Sequence, residues 1–140
     1  MNISIFGLGY VGAVSLACLA RDGHRVVGVD VDQAKLDLIA AGRTPVVEEG
    51  MVKLMADTVA SGRVSVTSDT RRAVLETDVS LICVGTPSRA NGSIDLRYIE
   101  RVCQEIGAAI NSGPVSYRVG TRQYVSIVSG LSLSVFALDE

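Results

Sequence analysis

The stretch Ile3–Gly12, ISIFGLGYVG, decides how the rest of this chain is read. Its opening residues fit a short strand over Asn2–Phe6, and Gly7 then begins a tight turn into a helix that starts near Tyr10. Gly7, Gly9 and Gly12 satisfy the spacing G-x-G-x-x-G. The first glycine permits the turn. The second leaves backbone open to two linked phosphates, and the third lets the helix lie close to the strand. The helix N-terminus contributes unpaired N–H groups and the positive end of its dipole. Such spacing alone is a weak signal, and a glycine-rich turn that binds nothing is the plain alternative. Its placement between a strand and a helix, with a second strand following, favours the phosphate cradle.

That second strand covers Arg25–Val29 and ends in Asp30, about 20 residues beyond the turn. A carboxylate there accepts hydrogen bonds from both adenosine ribose hydroxyls and repels a 2′-phosphate, which favours NAD over NADP. Asp30 as a mere turn residue is the alternative, but Asp32 fits the role of helix cap better. Lys35, one helical turn further, either meets the adenosine end of the cofactor or stays solvated. Ligands of doubly wound sheets lie across the C-terminal strand ends, so Thr86 in Gly85–Thr86–Pro87, after the apolar run Val79–Val84, is a candidate contact. Glu48 and Glu49 follow Pro45 and read equally well as helix-opening or solvated residues.

Further out, helices are predicted for Tyr10–Asp22, for Asp32–Ala41 with a stripe of Leu36, Ile39 and Ala40, and from Met51 to near Gly62. A strand follows at Val64–Thr67, then a helix opened by Ser68 or Asp69 and running to about Glu76. Val79–Val84 reads as a buried parallel strand. Asp95 caps a last helix whose stripe is Ile99, Val102, Cys103, Ile106 and Ile110. Alternating strands and helices predict an α/β, Rossmann-like, mostly parallel sheet with helices on both faces, over residues 1–110. Residues 111–140 read as a divergent tail. In it Asn111–Gly120 is polar and turn-rich, while Tyr124–Val128 and Leu131–Leu138 are strands that complete or cover the sheet.

Composition narrows the function classes. A chain of 140 residues with 48% hydrophobic content can bury one real core. Its net charge of −2 gives no electrostatic reason to expect nucleic acid. Three cysteines in apolar settings suit a reducing cytoplasm better than disulfides, and one histidine cannot anchor a metal cluster. No basic-then-apolar leader is present, and serines with Gly130 interrupt the apolar tail, so neither a signal peptide nor a membrane span is expected.

With these residues placed, the chain resembles the N-terminal NAD-binding domain of the UDP-glucose/GDP-mannose dehydrogenase family. The supporting stretches are ISIFGLGYVG at 3–12, GVDVD at 28–32, Lys35 with Leu38–Ile39, PVVEEG at 45–50 and ICVGTP at 82–87. They span about Met1 to Ile110, and the GDP-mannose branch of the alginate pathway is a nearer match than the UDP-glucose branch. The resemblance implies that Gly7, Gly9 and Gly12 wrap the NAD pyrophosphate, that Tyr10 and Val11 line it, that Asp30 holds the ribose, and that Lys35 and Thr86 approach the cofactor. Complete members oxidise a sugar-nucleotide C6 alcohol to a carboxylate in two NAD-dependent steps, through a cysteine thiohemiacetal and thioester.

Beyond Ile110 the sequence departs from the family. The expected serine/threonine–proline–glycine segment, glutamate loop, long helix and second domain with lysine, asparagine and cysteine are not recognisable, and the tail resembles readthrough, truncation or a rearranged gene. Cys18, Cys83 and Cys103 are each expected to be inert core thiols. The expectation is therefore NAD binding with little or no turnover, the sugar nucleotide entering only in a complete enzyme, and an exposed sheet edge open to self-association. A non-enzymatic nucleotide-binding or structural domain is the alternative.

Overall fold

The computed structural model describes the backbone of residues 1–111, 115–119, 122–129 and 132–138, and the side chains of residues 1–110. Its first part is a four-stranded parallel sheet in the order β3-β2-β1-β4. The strands are β1 (Asn2–Phe6), β2 (Arg25–Val29), β3 (Val64–Thr67) and β4 (Val79–Ile82). Between them run α1 (Tyr10–Arg21), α2 (Gln33–Ala40), α3 (Met51–Ala60) and α4 (Thr70–Leu75), and α5 (Arg97–Asn111) follows β4. The Rossmann-like expectation holds, with helices on both faces.

The alternation of β1 sorts the core into two layers. Ile3 and Ile5 point into one cluster with Leu8 of the glycine turn and with Leu16, Leu36, Ile39 and Met55 of α1, α2 and α3. Phe6 points the other way, to Val29 and Ala73, with Val102 and Ile106 of α5 packed against them. Ser4 shares that second face and is fully buried. Its hydroxyl lies 2.8 Å from Ser80 Oγ and 3.0 Å from Thr77 Oγ1, so the polar atom is satisfied across the β1–β4 seam. Caps work as the sequence suggests at two helices. Asp32 accepts from the Ala34 amide at 3.0 Å and Asp69 from the Arg72 amide at 3.0 Å.

Several expectations need correction. β4 stops at Ile82 and is not buried, since Val79 and Ile82 are each 39% exposed. It is the last strand of its sheet, and its outer edge pairs with nothing among the described residues. The stripe of α5 is turned from the expected one, because Cys103 is exposed and Ala109 is buried instead. Ala40 is likewise exposed, and Leu38 is half-buried. Val115–Val119 is a strand, β5, where polar composition predicted turns. With β6 (Arg122–Ser129) and β7 (Ser132–Leu138) it forms an antiparallel sheet in the order β5-β6-β7. The two tail strands read from sequence correspond to β6 and β7, the expected start at Leu131 lying outside the described residues.

Candidate functional site: a cleft at the strand ends

A cleft of about 380 Å³ opens beyond the C-terminal ends of β1, β2 and β4 and is closed on its far side by α5. Its apolar surface comes from residues such as Phe6, Val29, Val31, Val84 and Val102. The size suits part of an extended nucleotide cofactor.

The glycine turn forms one end. Gly7 takes φ 93°, in the left-handed region, and a Cβ there would sit 2.9 Å from the Val84 backbone. A Cβ on Gly12 would lie 1.9 Å from the Gly7 carbonyl oxygen and 3.4 Å from Cys83 Cβ. No side chain fits either place, so the turn, α1 and the segment after β4 are in direct backbone contact. Gly9 differs. It is the N-cap of α1 with no side-chain cap, and nothing lies within 4 Å of the place its Cβ would occupy. The open space lies over the uncapped start of a twelve-residue helix, so the cradle fits a pyrophosphate on this chain's own geometry.

Asp30 forms the second fixed point. Its side chain is only 7% exposed, and it is held by the Leu8 amide at 2.7 Å, the Asp32 amide at 2.9 Å and Lys35 Nζ at 3.4 Å. Burial pushes this carboxyl up, but the two amides and the Lys35 ammonium outweigh it and hold it below its ordinary value. Asp30 therefore remains ionised at neutral pH. The Leu8 contact also ties the glycine turn to the end of β2, a role that spacing alone did not reveal.

Of the residues singled out in the sequence, Gly7, Gly9, Asp30 and Lys35 line this cleft together. Gly12 stands behind the turn as a packing contact. Tyr10 and Val11 are exposed at the start of α1, 57% and 62% respectively, outside the cleft wall. The Tyr10 hydroxyl donates to Glu48 at 2.5 Å, which links the turn to the PVVEEG segment and raises the phenol above its ordinary pKa. Thr86 is exposed and stands at the rim, while Gly85 and Pro87 on either side line the cleft.

The sequence reading missed the far wall. Ser68, Thr70, Tyr98, Arg101 and Glu105 all border the cleft. The only available signal was their polarity, which on a helix reads as solvated surface. Asp95, just before α5, has a side chain only 6% exposed and accepts from Arg97 and Arg89, which hold its carboxyl far below the usual range. It anchors the Gly85–Asp95 loop, whose Pro87 carbonyl accepts from the Asp95 amide at 2.8 Å.

Of the three thiols, Cys83 alone lines the cleft. It is half-buried, and burial pushes its thiol up. Cys18 is half-buried within α1, and Cys103, expected in the core, is exposed on α5 away from the cleft. Among the described residues no cluster of metal-ligating side chains exists, and no helix is long and apolar enough to cross a membrane.

The chain also has relatives among known proteins. Residues 1–122 match the UDP-glucose/GDP-mannose dehydrogenase family, NAD binding domain. GDP-mannose 6-dehydrogenase of Pseudomonas aeruginosa is 54% identical over 125 residues, 89% of this chain and 29% of that protein. UDP-glucose 6-dehydrogenase of Rhizobium meliloti is 42% identical over 131 residues, 93% of this chain and 29% of that protein. A crystal structure of a ternary complex of GDP-mannose dehydrogenase from Pseudomonas aeruginosa superposes with a TM-score of 0.79 at 57% identity, covering 80% of this chain and 26% of that one. The chain thus spans under a third of the length of these relatives.

Proposed function

This chain belongs to the UDP-glucose/GDP-mannose dehydrogenase family, as its NAD-binding domain, and from that premise we propose that its cleft binds NAD itself in preference to NADP. One observation carries the reading: a single cleft joins the open helix start at Gly9 to the ionised, anchored carboxylate of Asp30. The unpaired amides at the start of α1, from Gly9 on, take the pyrophosphate, since the Gly7 and Leu8 amides already donate to Val29 and Asp30. Asp30 accepts from an adenosine ribose hydroxyl on the Oδ1 lone pair that Asp32 leaves free, Leu8 and Lys35 both being on Oδ2, and repels a 2′-phosphate. Lys35 balances the charge that Asp30 brings to the site. Tyr10 and Val11 flank the diphosphate from the start of α1, and Thr86 at the rim meets the middle of the cofactor. When bound, NAD supplies the hydride acceptor.

The family suggests a whole-protein activity, oxidation of GDP-mannose at C6 in the cytoplasm. The 47–54% identity to several GDP-mannose 6-dehydrogenases favours that sugar nucleotide over UDP-glucose. Cys18 and Cys103 do not line the cleft and burial pushes the Cys83 thiol up, so the 140-residue polypeptide binds cofactor without turning over the sugar nucleotide. Calorimetry with NAD and NADP tests the first statement, and NADH production from GDP-mannose tests the second. Equal affinity for the two dinucleotides would remove the role given to Asp30. Sustained NADH formation by this polypeptide would overturn the account of the thiols.

A further inference from the structure

We propose that Glu105 and Arg101 of α5 read the amino edge of the adenine ring, making the cleft selective for a 6-aminopurine over a 6-oxopurine dinucleotide. The inference rests on the dinucleotide reading above and extends it to residues that the glycine turn does not predict.

Two polar groups line the cleft. One is the turn with Asp30. The other is a connected set on α4 and α5, in which Thr70 Oγ1 donates to Glu105 Oε2 at 2.9 Å and Arg101 Nε donates to Glu105 Oε1 at 2.9 Å. All three side chains border the same cavity as Asp30. Glu105 is only 35% exposed. Its two partners fix the carboxylate in place, so it is preorganised rather than a mobile surface charge.

A purine has two apolar faces and a polar edge. Val31 and Val102 offer apolar surface to the faces. Glu105 is ionised, because Arg101 holds its carboxyl below the ordinary value. An ionised carboxylate can only accept, and each oxygen retains a lone pair after its present bond. Arg101 can only donate, and its terminal nitrogens are not committed to Glu105. An acceptor beside a donor complements the N7 edge of adenine, where the 6-amino group donates and N7 accepts. In hypoxanthine the 6-position is a carbonyl oxygen, which would face the carboxylate lone pairs directly. That arrangement loses a hydrogen bond and adds repulsion.

The test compares NAD with nicotinamide hypoxanthine dinucleotide by calorimetry on the 140-residue chain. The wild-type protein is expected to bind NAD more tightly by about tenfold, the value of one charged hydrogen bond. Glu105→Gln can present either an amide oxygen or an amide nitrogen, so the ratio should fall to within about threefold, with NAD affinity itself reduced. The wild-type comparison needs no variant and stands even if Glu105→Gln folds poorly. Equal wild-type affinities would overturn the proposal while leaving the cofactor assignment intact. A ratio unchanged in Glu105→Gln would also overturn it, because Glu105 would then serve only to brace α4 against α5. If neither dinucleotide bound, the cofactor assignment would fall and this inference with it.

Discussion

At the scale of single residues, two positions dominate. Gly12 has no room for even one carbon, since the Gly7 oxygen would lie 1.9 Å from it. Gly12→Ala should therefore cost about 3 kcal/mol in chemical denaturation and abolish measurable NAD binding, because either the turn or the helix must move. Asp30 has a double task, bracing the turn through the Leu8 amide and presenting an acceptor to the cleft. Asp30→Asn should weaken NAD binding by about tenfold to a hundredfold in calorimetry. The folded carboxyl lies below its ordinary value, so its stabilising contribution is complete above the unfolded pKa of about 3.9. That contribution fades as pH falls through the folded value. Acid titration of stability should accordingly be steeper for wild type than for Asp30→Asn in that window.

Among elements, α5 shows what a pattern can and cannot say. Its helical period was legible, and Ile99, Val102 and Ile106 do turn inward, but Ala109 rather than Cys103 extends the buried strip. Apolar character could not choose between neighbouring positions on a short arc, because the choice depends on how far the helix is rotated over Phe6 and Val29. Cys103→Ser should change stability by less than about 0.5 kcal/mol, while Val102→Ala should cost about 1 kcal/mol or more. A thiol reagent should modify Cys103 first and Cys83 slowly, and saturating NAD should slow Cys83 further. The strands β1, β2 and β3 were read to the residue because each is bounded by a glycine, an aspartate or a turn. The exposure of β4 was not legible: a run of apolar residues looks the same whether one neighbour or two flank it. The polar wall of α5 escaped for a related reason, since only the folded cleft separates Glu105 from a solvated glutamate.

At the scale of the whole molecule, the proposed cofactor site should be coupled to stability. The cleft spans β1, β2, β4 and α5, so a dinucleotide there bridges segments that are distant in sequence. At a hundred times its dissociation constant NAD should add about 2.7 kcal/mol to folding and raise the melting temperature by about 4 °C or more for a chain of this length. Differential scanning calorimetry across NAD concentrations checks this. The outer edge of β4 carries the opposite tendency, because exposed backbone beside Val79 and Ile82 invites another strand. Ile82→Lys should lower self-association in sedimentation without weakening NAD binding by more than about threefold, since Ile82 does not line the cleft. The buried hydroxyls at the β1–β4 seam bear on both behaviours. Sliding a strand by two residues keeps each side chain on its own face, so greasy contacts discriminate poorly between alignments. Ser4 meeting Ser80 and Thr77 makes one alignment cheaper than its neighbours, as a notch does for a key. That notch adds to the Cys83–Phe6 backbone bond in setting where Cys83 and Val84 arrive behind Gly7, and Ser4→Ala should keep the sheet while speeding amide hydrogen exchange in the glycine turn.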